Sequence, residues 1–267
     1  MRTDIDTADL ERQVWISLDM VDDPELDEPI TDMGFVERVA VIDGQRVEVD
    51  FRLPTYWCSP NFAFLMAFGI RRELEKLAWA KEIDVHLGDH CFGDEVNEGV
   101  NSGRAFSKVF AQYCDGADLE AVTETFLAKA FDRRQEAMLV GLTKRDLSAQ
   151  DIVAMRLDAL EAFAFDGEEE RKQKPRYLSL LRSRGLVRDP QDPVFVTWEG
   201  APLTVASLPE HLDRLRGTRI NMEFNGAMCR GLASTRYKEV EFGPDGPSLV
   251  DFIAGRVPVR NDATLRR

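Results

Sequence analysis

The sequence predicts an α+β protein in which a small α/β domain is followed by a mainly helical and mixed extension. Apolar and polar residues alternate strictly over 46–53, which is typical of a β-strand with one buried face. A long apolar helix is predicted over 60–79, and a further strand over 83–87 follows it. Helical patterns then dominate roughly 104–165, and the remainder of the chain is mixed.

The composition favours a cytoplasmic protein with a hydrophobic core. A chain of 267 residues can form one large domain or two ordinary ones. Its net charge of −14 argues against a nucleic-acid partner and against an anionic membrane surface. No window approaches the ~20 apolar residues of a spanning helix, and the first residues contain no apolar signal segment. Four cysteines in a chain this long do not form a disulfide framework, so we expect reduced thiols.

The N-terminal region begins with an amphipathic helix and continues as a β-hairpin. The helix is predicted from Asp9 to about Met20 and ends there because Pro24 follows closely. Its apolar face carries Leu10, Val14, Trp15 and Leu18. The Asp43-Gly44 pair lies between two alternating segments and predicts an antiparallel hairpin.

The next helix connects the hairpin to the further strand. Its apolar positions are Phe62, Phe64, Leu65, Phe68, Leu74 and Leu77. A strand–helix–strand crossover within one sheet is usually parallel and right-handed. We therefore expect the loop that contains Cys58 and the loop at 88–91 to lie on the same edge of the sheet.

The chain is predicted to divide after the further strand. A polar, acidic and Gly/Asn-rich stretch at 93–103 is interpreted as a linker between a domain at 1–92 and an extension at 104–267 of unassigned role. A charge run at 166–174 is interpreted as a solvated connection.

Within the extension, Ser148 and Asp151 have the spacing of a helix capping box. A helix through 177–181 is predicted to end near Gly185. The other predicted elements are strands at 194–198 and 237–242 and a short helix at 208–215.

The segment 54–60, with the sequence PTYWCSP, places one thiol at the turn between a strand and a helix. A helix N-terminus carries unpaired N–H groups and a partial positive charge. Such a position favours the thiolate of Cys58, which is the form that attacks electrophiles and binds metals. The alternative is a buried, inert cysteine, because free cysteine packs as a small hydrophobic side chain.

Three motifs resemble the SufT/PaaD-type family of iron–sulfur cluster assembly factors. They are DPEL at 23–26, ITDMGFV at 30–36 and TYWCSP at 55–60, and the resemblance extends over about 14–87. In the family the last motif usually reads threonine, a few residues, cysteine, proline. This chain departs from the pattern because Ser59 separates the cysteine from the proline, and because a bulky Tyr-Trp pair occupies a loop that is usually built from smaller residues.

The resemblance implies an accessory factor for the maturation of iron–sulfur or related metalloproteins, and not an enzyme in the turnover sense. Family members also occur in gene clusters of multicomponent oxygenases, so an oxygenase is an expected client. Cys58 is implied as a ligand to iron or a cluster, or as a nucleophile in sulfur transfer. The implied cargo is iron or an iron–sulfur cluster, bound transiently, and the implied partners are a client metalloprotein and other cluster-assembly proteins. Self-association is left open.

The acidic motif, DPEL at 23–26, and its neighbours are predicted to support the Cys58 loop. The supporting residues are Asp23, Glu25, Thr31, Asp32 and Thr55. Asp32 and Thr31 are expected to accept hydrogen bonds from backbone donors in the turn or at the helix terminus. Glu25 either acts on a bound metal or proton, or holds the loop.

Two further candidate ligands, His90 and Cys91, lie in the loop that is expected to approach Cys58. Imidazole and thiolate are ligands for zinc and iron, although the spacing is not a standard zinc pattern, and an ordinary loop role is the alternative. His86 alternates with apolar residues and is expected on the outer face of the sheet. Cys114 and Cys229 are interpreted as structural, although two glycines flank the second thiol and would also suit a functional loop.

Two other functions remain open from the sequence. One is a protein-interaction adaptor that keeps the fold and binds no metal, which the acidic surface and the large extension would suit. The other is a thiol-dependent enzyme in which His86 or His90 serves a Cys58 nucleophile. Phosphate-loop, dinucleotide and nucleophile-elbow motifs are absent from the sequence.

Overall fold

The computed structural model describes residues 7–111 and 119–236, and the chain forms two compact units. The first unit comprises 1–122 together with 225–267, and the second comprises 123–224. The α+β class is confirmed, with strands in the first unit and a mainly helical remainder. Cys114 and the strand predicted at 237–242 lie outside the described residues.

The first unit contains four helices and five strands among its described residues before α5. They are α1 (Thr7–Leu18), β1 (Asp22–Asp23), β2 (Glu28–Pro29), β3 (Val36–Ile42), β4 (Arg46–Arg52), α2 (Pro60–Leu74), β5 (Glu82–Gly88), α3 (Gly93–Asn101) and α4 (Phe106–Val109). In α1 the buried residues are Leu10, Val14 and Leu18, which recur every fourth position and so share one face. Trp15 is 39% exposed, so its assignment to that face was wrong.

The predicted hairpin is confirmed. β3 and β4 pair antiparallel, and the turn between them places Asp43 (φ 51°) and Gly44 (φ 67°) in the left-handed region. Val47, Val49 and Phe51 are fully buried while their neighbours on β4 are half-exposed, which is the two-residue period of a half-buried strand.

The parallel crossover is confirmed as well. β4 pairs parallel with β5 in a continuous register from Arg46↔Glu82 to Arg52↔Gly88, so the three-stranded sheet has the order β3-β4-β5. The connecting helix α2 ends at Leu74 and not at Trp79, and Phe68 is 48% exposed instead of buried.

The stretch predicted as a linker forms α3, because its asparagines serve the edge of the sheet. Asn97 accepts a hydrogen bond from the Leu87 N–H at 2.7 Å and donates to the Leu87 carbonyl at 3.2 Å. One turn later, Asn101 does the same for Val85 at 3.0 and 2.9 Å. The two amides therefore satisfy the exposed backbone groups of β5 as a neighbouring strand would. Val96, on the same helix, is fully buried in the core of the first unit.

The described remainder of the chain is built on five helices. They are α5 (Leu119–Lys144), α6 (Ala149–Ala154), α7 (Leu157–Ala162), α8 (Glu168–Ser183) and α9 (Leu208–Arg236). The capping box of Ser148 and Asp151 is confirmed at the start of α6, and Gly185 (φ 68°) follows the end of α8 as expected.

Two elements of the second unit differ from the sequence prediction. The charge run at 166–174 opens α8 instead of forming a solvated connection, and Glu170 and Gln173 are buried. In the segment 194–198, residues 194–196 are buried, but the segment makes only an isolated bridge because side chains bind two of its carbonyl groups. Tyr177 donates to the Val194 carbonyl at 2.7 Å, and Gln135 donates to the Val196 carbonyl at 2.7 Å. Side-chain partners thus replace the neighbouring strand that the pattern predicted.

The helix predicted at 208–215 is wrong in length, since α9 extends to Arg236. Its residues from Asn225 onward belong to the first unit.

The Val96→Ala substitution tests whether α3 belongs to the core of the first unit. We expect it to lower the free energy of unfolding by about 2 kcal/mol, because it removes buried methyl groups and leaves a cavity. Urea unfolding followed by circular dichroism measures the change. The exposed neighbour Asp94 provides the control, and Asp94→Ala should change stability by no more than about 0.5 kcal/mol. Equal, small effects for both variants would show that α3 contributes nothing to the core.

Candidate thiol site

Cys58 lies in the loop between β4 and α2, where its side chain is half-buried and packs against the core of the first unit. The hydroxyl oxygen of Thr55 lies 3.1 Å from the Cys58 sulfur, so the two residues of the motif are in direct contact. Pro60 begins α2, as suits a first helical position, and Ser59 precedes it without a side-chain capping bond. The predicted position of the thiol directly before a helix is confirmed.

The loop after β5 is hydrogen-bonded to the Cys58 loop, as the parallel crossover predicts. The backbone N–H of Cys91 donates to the Tyr56 carbonyl at 2.8 Å. The ring Nε2 of His90 lies 2.9 Å from the Cys58 carbonyl oxygen. The loops that carry Cys58, His90 and Cys91 are therefore adjacent, although the Cys91 side chain is exposed.

The tautomer of His90 follows from its two partners. The Phe92 backbone N–H donates to Nδ1 at 3.2 Å, so Nδ1 is an acceptor and the proton resides on Nε2, which donates to the Cys58 carbonyl. Burial lowers the pKa of His90 from its ordinary value, and the positive charge of Arg236 adds to the effect, while the bond to the Cys58 carbonyl opposes it. Both ring nitrogens are thus engaged with backbone groups, and His90 connects the two loops in its neutral form.

His86 lies on the outer face of the sheet, as predicted. It is exposed, it stands opposite Asp50 in the register of β4 and β5, and its Nδ1 is 3.6 Å from the Asp50 carboxylate. Its strand neighbours Val85 and Leu87 face the core.

Asp23 accepts backbone hydrogen bonds in its turn, which is the kind of role that the sequence predicted for Asp32. Its buried carboxylate accepts the backbone N–H groups of Glu25 and Leu26, each at 2.9 Å, and so fixes the turn between β1 and β2. Burial raises the pKa of Asp23 to about 6, against the lowering effect of these two bonds. Asp32 is exposed.

Thr31 donates to the Asp19 carboxylate at 2.6 Å and thereby links the motif to the end of α1. Glu25 is half-buried, and its carboxylate receives the side-chain amide of Asn225 from α9 at 3.4 Å. The DPEL turn therefore contacts a residue that lies far away in sequence.

Cys229, which the sequence interpretation treated as structural, packs against the same core as Cys58. It lies half-buried on α9 and not in a loop, one helical turn after Asn225. Burial, together with the negative charges of Asp23, Cys58 and Glu25, raises the pKa of Cys229 to about 11. The only sequence signal was the four-residue spacing of Asn225 and Cys229, which becomes informative once the helix is known to extend that far.

The surface beside the thiol is aromatic. Tyr56 is 46% exposed and Trp57 is 75% exposed, directly before Cys58. Large exposed aromatic side chains are a common feature of protein interfaces.

Among residues 7–111 and 119–236, no three histidine, cysteine or acidic side chains converge in the manner of a metal-ion site. Within the same described ranges, none of the helices is both long and apolar enough to span a membrane. The described cysteines Cys58, Cys91 and Cys229 are free thiols.

Residues 11–86 match the family model of the iron–sulfur cluster assembly proteins. The matched segment runs from α1 through β5 and includes the acidic motif, Thr55 and Cys58, and it covers less than a third of the chain. The sequence resemblance of the N-terminal third is thereby confirmed, and it supports a role in iron–sulfur cluster assembly in general. Neither a curated protein nor a solved structure matches the chain.

The His90→Gln substitution tests the neutral bridge between the loops. A glutamine amide can still donate to the Cys58 carbonyl, but it does not titrate. The folded-state pKa of His90 lies below its ordinary value of 6.5, so the unfolded chain binds a proton at a higher pH than the folded chain does. The contribution of His90 to folding stability is therefore full above pH 6.5 and declines as the pH falls below that value. We expect the parent to lose more stability than the variant between pH 7.5 and pH 5.5.

Urea unfolding of both proteins at the two pH values measures this difference. Asp23 titrates in the same range with the opposite sign, since its folded-state pKa is raised, but its effect is common to both proteins and cancels in the comparison. Parallel pH profiles for parent and variant would contradict the assigned role of His90.

Proposed function

We propose that the protein is an accessory factor that receives iron or an iron–sulfur cluster at Cys58 and delivers it to a client metalloprotein. The family match to 11–86 is the observation that carries the proposal, because it spans the motif in which Thr55 contacts the Cys58 sulfur. Thiolate sulfur is the ligand that iron–sulfur clusters prefer in proteins. An oxygenase is the proposed client, and the cytoplasm, where thiols stay reduced, is the proposed compartment.

The donor set suits a transferred cargo better than a resident one. Cys58 is half-buried and contacts Thr55. A cargo that is bound through few protein ligands keeps coordination positions open for the protein that receives it. In this proposal His90 supports the loop through the Cys58 carbonyl, and the exposed Cys91 is tested as a further ligand.

A catalytic pair of Cys58 and His90 receives no support from the geometry. The histidine bonds to the carbonyl oxygen of Cys58 and to the Phe92 N–H, so neither ring nitrogen is available to the sulfur as a base in this arrangement. This observation favours an accessory factor over a thiol-dependent enzyme.

Cys58→Ser and Cys91→Ser form the matched pair that tests the cargo site. After anaerobic loading with ferrous iron and sulfide, we expect Cys58→Ser to retain at least tenfold less iron and sulfide than the parent, because serine offers no soft thiolate ligand. Cys91→Ser should retain nearly as much as the parent. Iron and acid-labile sulfide are assayed after desalting, together with delivery to an apo-ferredoxin as a generic acceptor. Equal retention in all three proteins, or delivery that survives Cys58→Ser, would favour an adaptor that handles no cargo.

Trp57→Ala tests whether the aromatic surface serves delivery and not loading. Trp57 is an exposed aromatic side chain beside the thiol, where it can contact an acceptor protein. Its removal should cost more than about 1 kcal/mol of contact energy and so lower the rate of delivery by at least about fivefold. Retained iron and sulfide should stay at the parent level. The control is Ile16→Ala, which removes an exposed apolar side chain from α1 and should leave both quantities unchanged. Equal delivery rates for the two variants would remove Trp57 from the proposed interface.

A further inference from the structure

The last part of α9, from Asn225 to Arg236, contacts both the DPEL turn and the loop after β5. At one end, Asn225 bonds to Glu25 in the DPEL turn at 3.4 Å. At the other end, the guanidinium of Arg236 donates to the carbonyl of Asp89 at 3.1 Å and to its carboxylate at 2.6 Å. Asp89 directly precedes His90, which holds the Cys58 carbonyl.

A third contact lies between these two ends. Arg230 forms an ion pair with Glu28 at 2.8 Å and donates to the Met33 sulfur at 3.3 Å. The helix α9 is therefore also attached to β2 and to the ITDMGFV motif at 30–36. All of these contacts lie within the first unit. The helix is therefore anchored to the DPEL turn, to β2 and to the loop after β5, which is itself hydrogen-bonded to the Cys58 loop.

The helical period places Cys229 on the anchored face. Asn225, Cys229 and Arg236 are separated by four and seven residues, and such positions share one side of a helix. Leu232 shares this side and is 44% exposed, while Met228, which directly precedes Cys229, is 51% exposed. Cys229 and Cys58 pack against one hydrophobic core, and the charge of Cys58 contributes to the raised pKa of Cys229.

We propose that Cys229 is the second thiol of the Cys58 site, and that the two sulfurs together bind one thiophilic cargo. The pairing itself stands on the geometry of α9, while the identity of the cargo rests on the proposed function. Two thiolates would hold iron or a cluster more firmly than one and would still leave positions for sulfide or for the ligands of a client. The second ligand comes from outside the family-matched segment, which ends at residue 86.

Phenylarsine oxide is the probe for the pair, because a trivalent arsenical binds tightly only where two thiols can reach one arsenic atom. Each thiol gives up its proton, two As–S bonds form, and the oxide oxygen leaves as water, with no change in oxidation state. The full-length, reduced parent should bind one equivalent and lose two titratable thiols in native buffer. Cys58→Ser and Cys229→Ser should each bind at least 100-fold more weakly.

Cys91→Ser and Cys114→Ser complete the set, and both should bind as the parent does. Loss of binding in either of them, with retention in Cys229→Ser, would overturn the proposal. Circular dichroism checks that each variant is folded. Alkylation of the arsenical-treated parent, followed by peptide mass spectrometry, needs no variant: the peptides with Cys58 and Cys229 should be protected together, and protection of any other pair would overturn the assignment.

Loading with ferrous iron and sulfide separates this inference from the proposed function. If the arsenical bridges Cys58 and Cys229 while the parent retains neither iron nor sulfide, the two-thiol site stands and the iron–sulfur role falls. If Cys58→Ser loses the cargo while Cys229→Ser retains as much as the parent, the iron–sulfur role stands and the two-thiol site falls. Several-fold loss in both variants supports both.

Discussion

The parallel pairing of β4 with β5 is the constraint on which the candidate site depends. The carboxyl ends of parallel strands meet at one edge of a sheet, so the register that ends at Arg52↔Gly88 brings the following loops together. The Cys91–Tyr56 backbone bond and the His90–Cys58 bond then join these loops. A slip of one residue in this pairing would exchange the buried and exposed faces of β5 and separate the loops. The buried valines of β4, Val47 and Val49, therefore also fix the position of the thiol.

The same pairing creates an edge that the protein must protect. β5 is the last strand of the sheet, and an unpaired edge invites association with other strands. Asn97 and Asn101 bind this edge through both their donor and acceptor groups, which leaves β5 covered by a helix. The strand β4, which leads into the Cys58 loop, is thus held by the hairpin. The strand β5, which leads into the adjacent loop, is held by the side-chain amides of Asn97 and Asn101. Cys58 lies between two fixed supports and in contact with Thr55.

The hairpin, the crossover and the adjacency of the two loops could be predicted from sequence, because they follow from local alternation, a turn signal and the handedness of crossovers. The elements that failed depend on partners far away in the chain. The asparagine-rich stretch 93–103 indicates a loop from sequence, because the strand edge that binds its amides is not visible there. The apolar segment 194–198 indicates a strand, because the side chains of Gln135 and Tyr177 that bind its carbonyl groups come from distant parts of the chain. The attachment of α9 to the first unit could not be predicted, since it depends on contacts with residues about 200 positions earlier in the chain.

The order of the two units along the chain has a consequence for biosynthesis. The second unit, 123–224, is inserted into the first, and the segment that carries Cys229 follows the insertion. During translation, the sheet and its Cys58 loop emerge well before the helix that is anchored over them, and domains tend to fold as they emerge. A nascent chain therefore presents the Cys58 loop before α9 exists, and the α9 contacts form only after the whole inserted unit has been made.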